Sequence, residues 1–198
     1  MNHIYQYRII LLFICVIIYN SCVTLNIDKS EYSIVKQIAK KELPMVLDKI
    51  PLGNELRYGF NNRNEFQLAE IGNPINYYSI NNLELVKSPT ITVPVIVNGE
   101  YKALASIDYV NDSLHIVDFG ANELAKEIQI VQKENTNLSI VGLLRVYEIS
   151  SDFVIMSKNN GNLFIPLTSA KIYLQSLRLT KIEKYYTQGQ ITEIIKKT

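Results

Sequence analysis

The chain has 198 residues, 47% of them hydrophobic and 20% charged, with 20 Lys and Arg against 19 Asp and Glu. That length suits one core, and the apolar fraction is that of a globular domain, which argues against disorder and against a polytopic membrane protein. Near-neutral charge removes the basic footprint of a nucleic-acid binder, and two cysteines cannot staple a disulfide-dense scaffold.

The first 22 residues differ from the rest. Arg8 supplies one positive charge, and no acid precedes Asp28. Residues 9–18 are an unbroken apolar run, shorter than the ~17–25 residues a membrane-spanning helix needs. The run matches the roughly 7–15-residue apolar region of a secretory signal peptide. A small residue, Ser21, then stands directly before Cys22. Together these residues resemble a bacterial lipoprotein signal peptide, in which cleavage precedes the cysteine and its thiol carries a diacylglycerol. Tyr19 departs from the pattern, because an aliphatic residue is usual there. The resemblance, confined to these residues, implies a signal over residues 1–21 and lipidation at Cys22; residues 22–29 read as a tether and 30–198 as a single α+β domain. It also implies a cell-envelope location on a lipid anchor, and the absence of Asp after Cys22 points to the outer membrane. An ordinary cleaved signal, or an uncleaved anchor, is the alternative. Removing residues 1–21 takes Arg8 and no acid, leaving 19 basic and 19 acidic residues, so the lipid would be the main membrane attachment.

Ser30 is a candidate N-cap for a first helix, with Val35, Ile38, Ala39, Leu43, Val46, Leu47 and Ile50 at helical spacing. Pro44 is expected to break or kink it near residues 41–43. A short helix is expected over 65–70, a turn at Gly72-Asn73-Pro74 and a strand over 75–80. Residues 91–97 read as a strand, which Pro94 assigns to an edge or a bulge. Asn98-Gly99 is a strong hairpin signal, since both turn positions need positive φ. The return strand alternates Tyr101, Ala103, Ala105, Ile107 and Tyr109 against Lys102, Leu104, Ser106 and Asp108. Asn111-Asp112 turns the chain into a third strand over 114–119. After Gly120, Leu124, Ala125, Ile128 and Val131 make a helical stripe, and the alanines of the preceding strand would leave room for that helix. A second β block follows over 138–147, 153–157 and 163–167, with a turn at Asn159-Asn160-Gly161. Residues 171–198 mix both periodicities, with a helix expected over 192–197. The whole reads as an α+β fold, an antiparallel meander packed against amphipathic helices in a cystatin-like arrangement. The stretch from Tyr58-Gly59-Phe60 through Gly72-Asn73-Pro74 to Val93-Pro94-Val95-Ile96-Val97 and Asp118-Phe119-Gly120 resembles small exported bacterial domains of unassigned function, and implies no activity.

Chemistry-bearing residues are scarce. With the signal removed, His115 is the one histidine, and lipidation of Cys22 would leave no free thiol, so a Cys–His pair and a Cys/His zinc site are not expected. No Gly-x-Ser-x-Gly elbow, phosphate loop or dinucleotide fingerprint occurs. Asp108, Asn111, Asp112 and Ser113 put oxygens around one turn without the glycine and glutamate of an EF-hand loop. No metal, cofactor or nucleic acid is therefore expected, and no catalytic residue is assigned. Thirteen tyrosines with no tryptophan suit either binding surfaces or ordinary strands. Tyr101 and Tyr109 are the candidate partner-binding pair. The function expected is non-enzymatic binding of a protein or peptide partner, inhibitor- or propeptide-like, by a lipid-anchored envelope protein. The alternative is a small envelope hydrolase using His115 and nearby carboxylates.

Overall fold

The computed structural model describes residues 29–158, 161–177 and 182–197. The expected signal segment, Cys22 and the Asn159-Asn160 part of the expected turn lie outside them. Helix α1 (Lys29–Asp48) buries Val35, Ala39, Leu43 and Leu47, spaced so that they share one face. Ser30 lies inside the first turn instead of capping it, and Pro44 lies within the helix without ending it. A proline in a helix interior costs about 3 kcal/mol. Here Leu43 and Leu47, on either side of it, are both buried, and that packing carries the helix through. The carbonyls at its C-terminal end are claimed by Arg63, whose Nη1 donates to Ile50 O at 2.9 Å and whose Nη2 donates to Asp48 O at 3.3 Å.

Two short 3-10 turns, Glu55–Tyr58 and Arg63–Leu68, lead into the sheet. Its strands are β1 (Glu70–Ile71), β2 (Ile75–Asn81), β3 (Glu84–Val97), β4 (Glu100–Val110), β5 (Ser113–Gly120), β6 (Ser139–Val146), β7 (Ser151–Lys158) and β8 (Gly161–Pro166). Helix α2 (Asn122–Glu134) links β5 to β6, and α3 (Thr168–Ser176) and α4 (Gln188–Ile195) follow β8. One eight-stranded sheet runs β5-β4-β3-β2-β6-β7-β8, with β1 also on β3. Every neighbouring pair is antiparallel except β2 and β6. The fold is α+β, with the expected meander over β3–β5, which β2 extends by one antiparallel strand. The parallel pair and the crossover by α2 lie beyond a pure meander.

The Asn98-Gly99 hairpin forms as its chemistry requires. Both residues have positive φ, 50° and 78°, and Val97 pairs with Glu100 and Ile96 with Tyr101. Pro94 sits in a central strand, not at an edge. Its carbonyl accepts from Gly72 N at 2.8 Å, on the side where β1 and β2 share one lane beside β3. The missing proline donor therefore falls at the break between those two strands, where no ladder bond needs it.

Two faces are covered differently. On one, α1 packs against Ile91, Val93, Val95, Ala103, Ala105 and Ile107. Farther along that face, α3 and α4 cover Leu144, Val146, Phe153, Ile155 and Phe164. On the other face, α2 packs Ala125, Ile128 and Val131 against Leu104, Leu143, Val154 and Met156. The small strand residues Ala103 and Ala105 thus admit α1, not α2 as the sequence suggested. The first half of β3 and the whole of α3 are additions to the sequence reading, and the expected last helix starts four residues early, on a Thr187 capping box.

Glycine tests the packing between the 3-10 turns and β4. Gly59 has φ 88°, and a Cβ there would come within 2.0 Å of the Lys102 carbonyl oxygen. Gly53 has φ 84° but faces open space. Gly53→Ala should cost about 1–2 kcal/mol, the strain of left-handed backbone alone. Gly59→Ala should cost clearly more, because Lys102 must move. Denaturant unfolding of the full chain checks the order, and equal losses would contradict the close approach.

Candidate functional site

A groove of about 820 Å³ runs between α1 and residues 66–71. Ser33, Lys36, Gln37, Lys40, Pro44 and Asp48 form its helical wall, Leu43 and Leu47 its depth, and Phe66, Gln67, Ala69, Glu70 and Ile71 the facing wall. Met45 and Leu68, each 54% exposed, sit next to Pro44 and Gln67 and extend the apolar surface outward.

The facing wall is held from behind. Phe66 meets Phe60 edge-on at 5.0 Å, and the Arg63 guanidinium lies 5.2 Å from the Phe66 ring centroid. Glu65 accepts from Asn61 N at 2.8 Å and Asn61 Nδ2 at 2.7 Å, and stands 3.5 Å from Lys102 Nζ. Lys102 also donates to Glu100 at 3.0 Å. Burial pushes the Glu65 pKa up, but the two Asn61 bonds and the Lys102 charge outweigh it, and the carboxyl sits below its usual value. Burial likewise lowers the Lys102 pKa, while Glu100 and Glu65 more than reverse it. Lys102 owes its inward position to a bulge in β4, where the pairing with β3 shifts between Val95 and Ile96.

The groove carries polar groups on both walls. Gly72 donates to β3, so Ile71, one residue earlier, turns its N–H and C=O away from β3. Gln37 and Gln67 present amides on opposite walls. Beyond Ser33 and Lys36 the groove continues into a cavity of about 480 Å³ lined by Tyr32, Asn73, Pro74, Ser139 and Ile140. The Tyr32 hydroxyl on that lining and, outside it, Asn76 Oδ1 are buried without a hydrogen bond of full geometry. Such a group costs about 1–3 kcal/mol when left unmet. Burial, with Tyr78 adding to it and the Asn76 backbone opposing, pushes the Tyr32 hydroxyl up to about 12.

His115 lies on the other flank of α1. Its Nδ1 is 2.7 Å from Glu42 Oε1, while Glu42 Oε2 accepts from Ile116 N at 2.8 Å. That N–H belongs to β5, the edge strand, so Glu42 caps an edge that would otherwise be open to pairing. Register pairs His115 with Asp108, whose carboxylate accepts from Thr90 Oγ1 and from Tyr109 N, each at 2.7 Å. Asp108 thus serves its own strands and turn. Among the described residues no group of three or more His, Cys, Asp or Glu converges to hold a metal ion.

Tyr101 and Tyr109 are not brought together. The β4 bulge turns Tyr101 to the α2 face, where its hydroxyl donates to Gln132 Oε1 at 2.7 Å and its N–H to Gln129 Oε1. Tyr109 stays exposed at the far end of the strand. The groove is not legible in the sequence, because Ser33, Lys36, Gln37 and Lys40 look like an ordinary solvated helix face. An exposed Pro44-Met45 within that face was the available sign.

The chain matches no family model, no curated protein and no solved structure. No helix among the described residues is long and apolar enough to cross a membrane.

The Glu42 carboxyl gives a pH test. Burial raises its pKa, but the Ile116 N–H and then the bond and charge of His115 bring it below the usual value. A depressed folded-state pKa stabilises the fold above the unfolded carboxylate pKa, and that contribution is lost as pH falls through the folded value. Glu42→Gln should therefore cost about 1 kcal/mol near neutrality and nothing at acid pH. Unfolding curves of both proteins across pH 2–7 read this directly, and a pH-independent gap would show that the charge is not involved.

Proposed function

We propose that this is a lipid-anchored bacterial cell-envelope protein, without enzymatic activity, that binds a protein or peptide partner through the groove between α1 and residues 66–71. The groove carries the reading. It combines apolar depth with side-chain amides on both walls, which is the lining a polypeptide segment requires. The anchor rests on the Ser21-Cys22 signal, and an outer-membrane position on the residue after it.

A second reading, a small hydrolase using His115, has one observation in its favour. A carboxylate on Nδ1 orients an imidazole as a catalytic base requires. Against it, His115 sits outside the groove, on the opposite flank of α1.

The anchor is tested by growing cells with labelled fatty acid. The full chain should carry the label and fractionate with membranes, and Cys22→Ser should lose the label and be released or accumulate as precursor. No label, with identical fractionation of the variant, would overturn the lipoprotein assignment. The absence of catalysis is tested by a broad hydrolase screen. Turnover abolished by His115→Ala in a still-folded protein would replace the binding reading with the second one.

A further inference from the structure

Resting on the binding reading, we infer that the groove's occupant is an extended peptide segment of another protein, added as a strand beside β1, with a carboxylate against Lys36 and Lys40. Three observations converge. First, β1 is paired on one side only, and Ile71 aims its free N–H and C=O away from β3. The neighbouring strand on that side, β6, begins at Ser139 and pairs with β2 from Asn76 onward, so it stops short of β1. The lane beside β1 is open, as strand addition requires.

Second, the walls suit a peptide better than an acyl chain. Gln37 and Gln67 offer donors and acceptors along the groove. A hydrocarbon would satisfy none of them, whereas backbone and polar side chains satisfy such groups in alternation with apolar residues.

Third, the helical wall is polarised in charge, with Glu70 on the wall that faces it. Lys36 gives only a 3.3 Å bond to the neutral Asn73 Oδ1, and neither it nor Lys40 meets a carboxylate among the described residues. Asp48 stands at the opposite end of the helical wall. Twelve helical positions separate Lys36 from Asp48, about 18 Å at 1.5 Å per residue, which five or six extended residues would span. An acidic residue or chain terminus at the Lys36–Lys40 end satisfies that asymmetry.

The experiment uses the full-length protein in detergent micelles to select from phage displaying random heptapeptides. Enriched sequences should alternate apolar and polar residues and carry Asp or Glu toward one end. As free peptides they should bind the Lys36→Glu/Lys40→Glu variant about tenfold more weakly, the scale of one charge-assisted contact. N-methylation of alternate amides should abolish binding, and methylation of the intervening ones should not. Peptides indifferent to the double variant, or to methylation, would overturn the proposal, as would an absence of enrichment or displacement of the peptides by dodecanoate. A photo-crosslinker placed at Gln67 in cells separates the remaining occupants. A crosslink to another protein supports the inference, and one to residues 23–28 of the same chain or to a second copy overturns it. Partner crosslinking from position 109 but not 67 would end the groove assignment while leaving the broader binding reading intact, and crosslinking from neither would end both.

Discussion

The clasp of Arg63 on the end of α1 sets the geometry of the whole N-terminal half. Its guanidinium spans the Asp48 and Ile50 carbonyls, reaches Glu55 at 3.4 Å, and lies over the Phe66 ring. A helix end leaves carbonyls without partners, and a planar, permanently charged group is well matched to answer two of them while stacking on an aromatic face. Because one side chain does both, the distance between α1 and residues 66–71 is fixed at one end. The Glu65–Lys102–Glu100 cluster ties the same segment to the sheet behind it. The groove is a gap between two braced walls.

The opposite flank of α1 is closed by other means. Glu42 reaches the β5 edge with both carboxylate oxygens, so one side of the helix is stitched to the sheet while the other stands open. Helix geometry accounts for this division. The buried stripe of Val35, Ala39, Leu43 and Leu47 faces the sheet, Glu42 falls to one side of it, and Lys36, Lys40 and Pro44 fall to the other.

Local chemistry was legible in the sequence where it needed no partner. Asn98-Gly99 had to turn because both positions demand positive φ, and the stripe over α2 had to bury one face. Properties set by distant residues were not legible. The strand identity of residues 84–90 depends on β2 beside them, and the placement of Pro94 depends on where β1 gives way to β2. The one-residue bulge at Lys102 reversed the facing of Tyr101, because strand periodicity carries no memory of an inserted residue. The groove was hidden for the same reason. Its walls are polar residues that look solvated until the segment facing them is known.

The parallel pairing of β2 with β6 has a consequence for the order in which the molecule assembles. Residues of β2 to β5 are near neighbours along the chain and can zip together locally. Tyr78, however, must wait for Leu144, and Asn76 for Gly142, which arrive only after α2 has carried the chain across the sheet. Until then β2 is an outer strand with Tyr78 and Ile80 uncovered. Gly142 makes the late docking possible, since a Cβ there would lie 2.5 Å from the Tyr78 ring. The first half of the protein therefore presents one uncovered margin, and the second half is its native cover. A chain that pauses between the two exposes an adhesive seam, and the residues α2 has yet to deliver are its intrinsic chaperone.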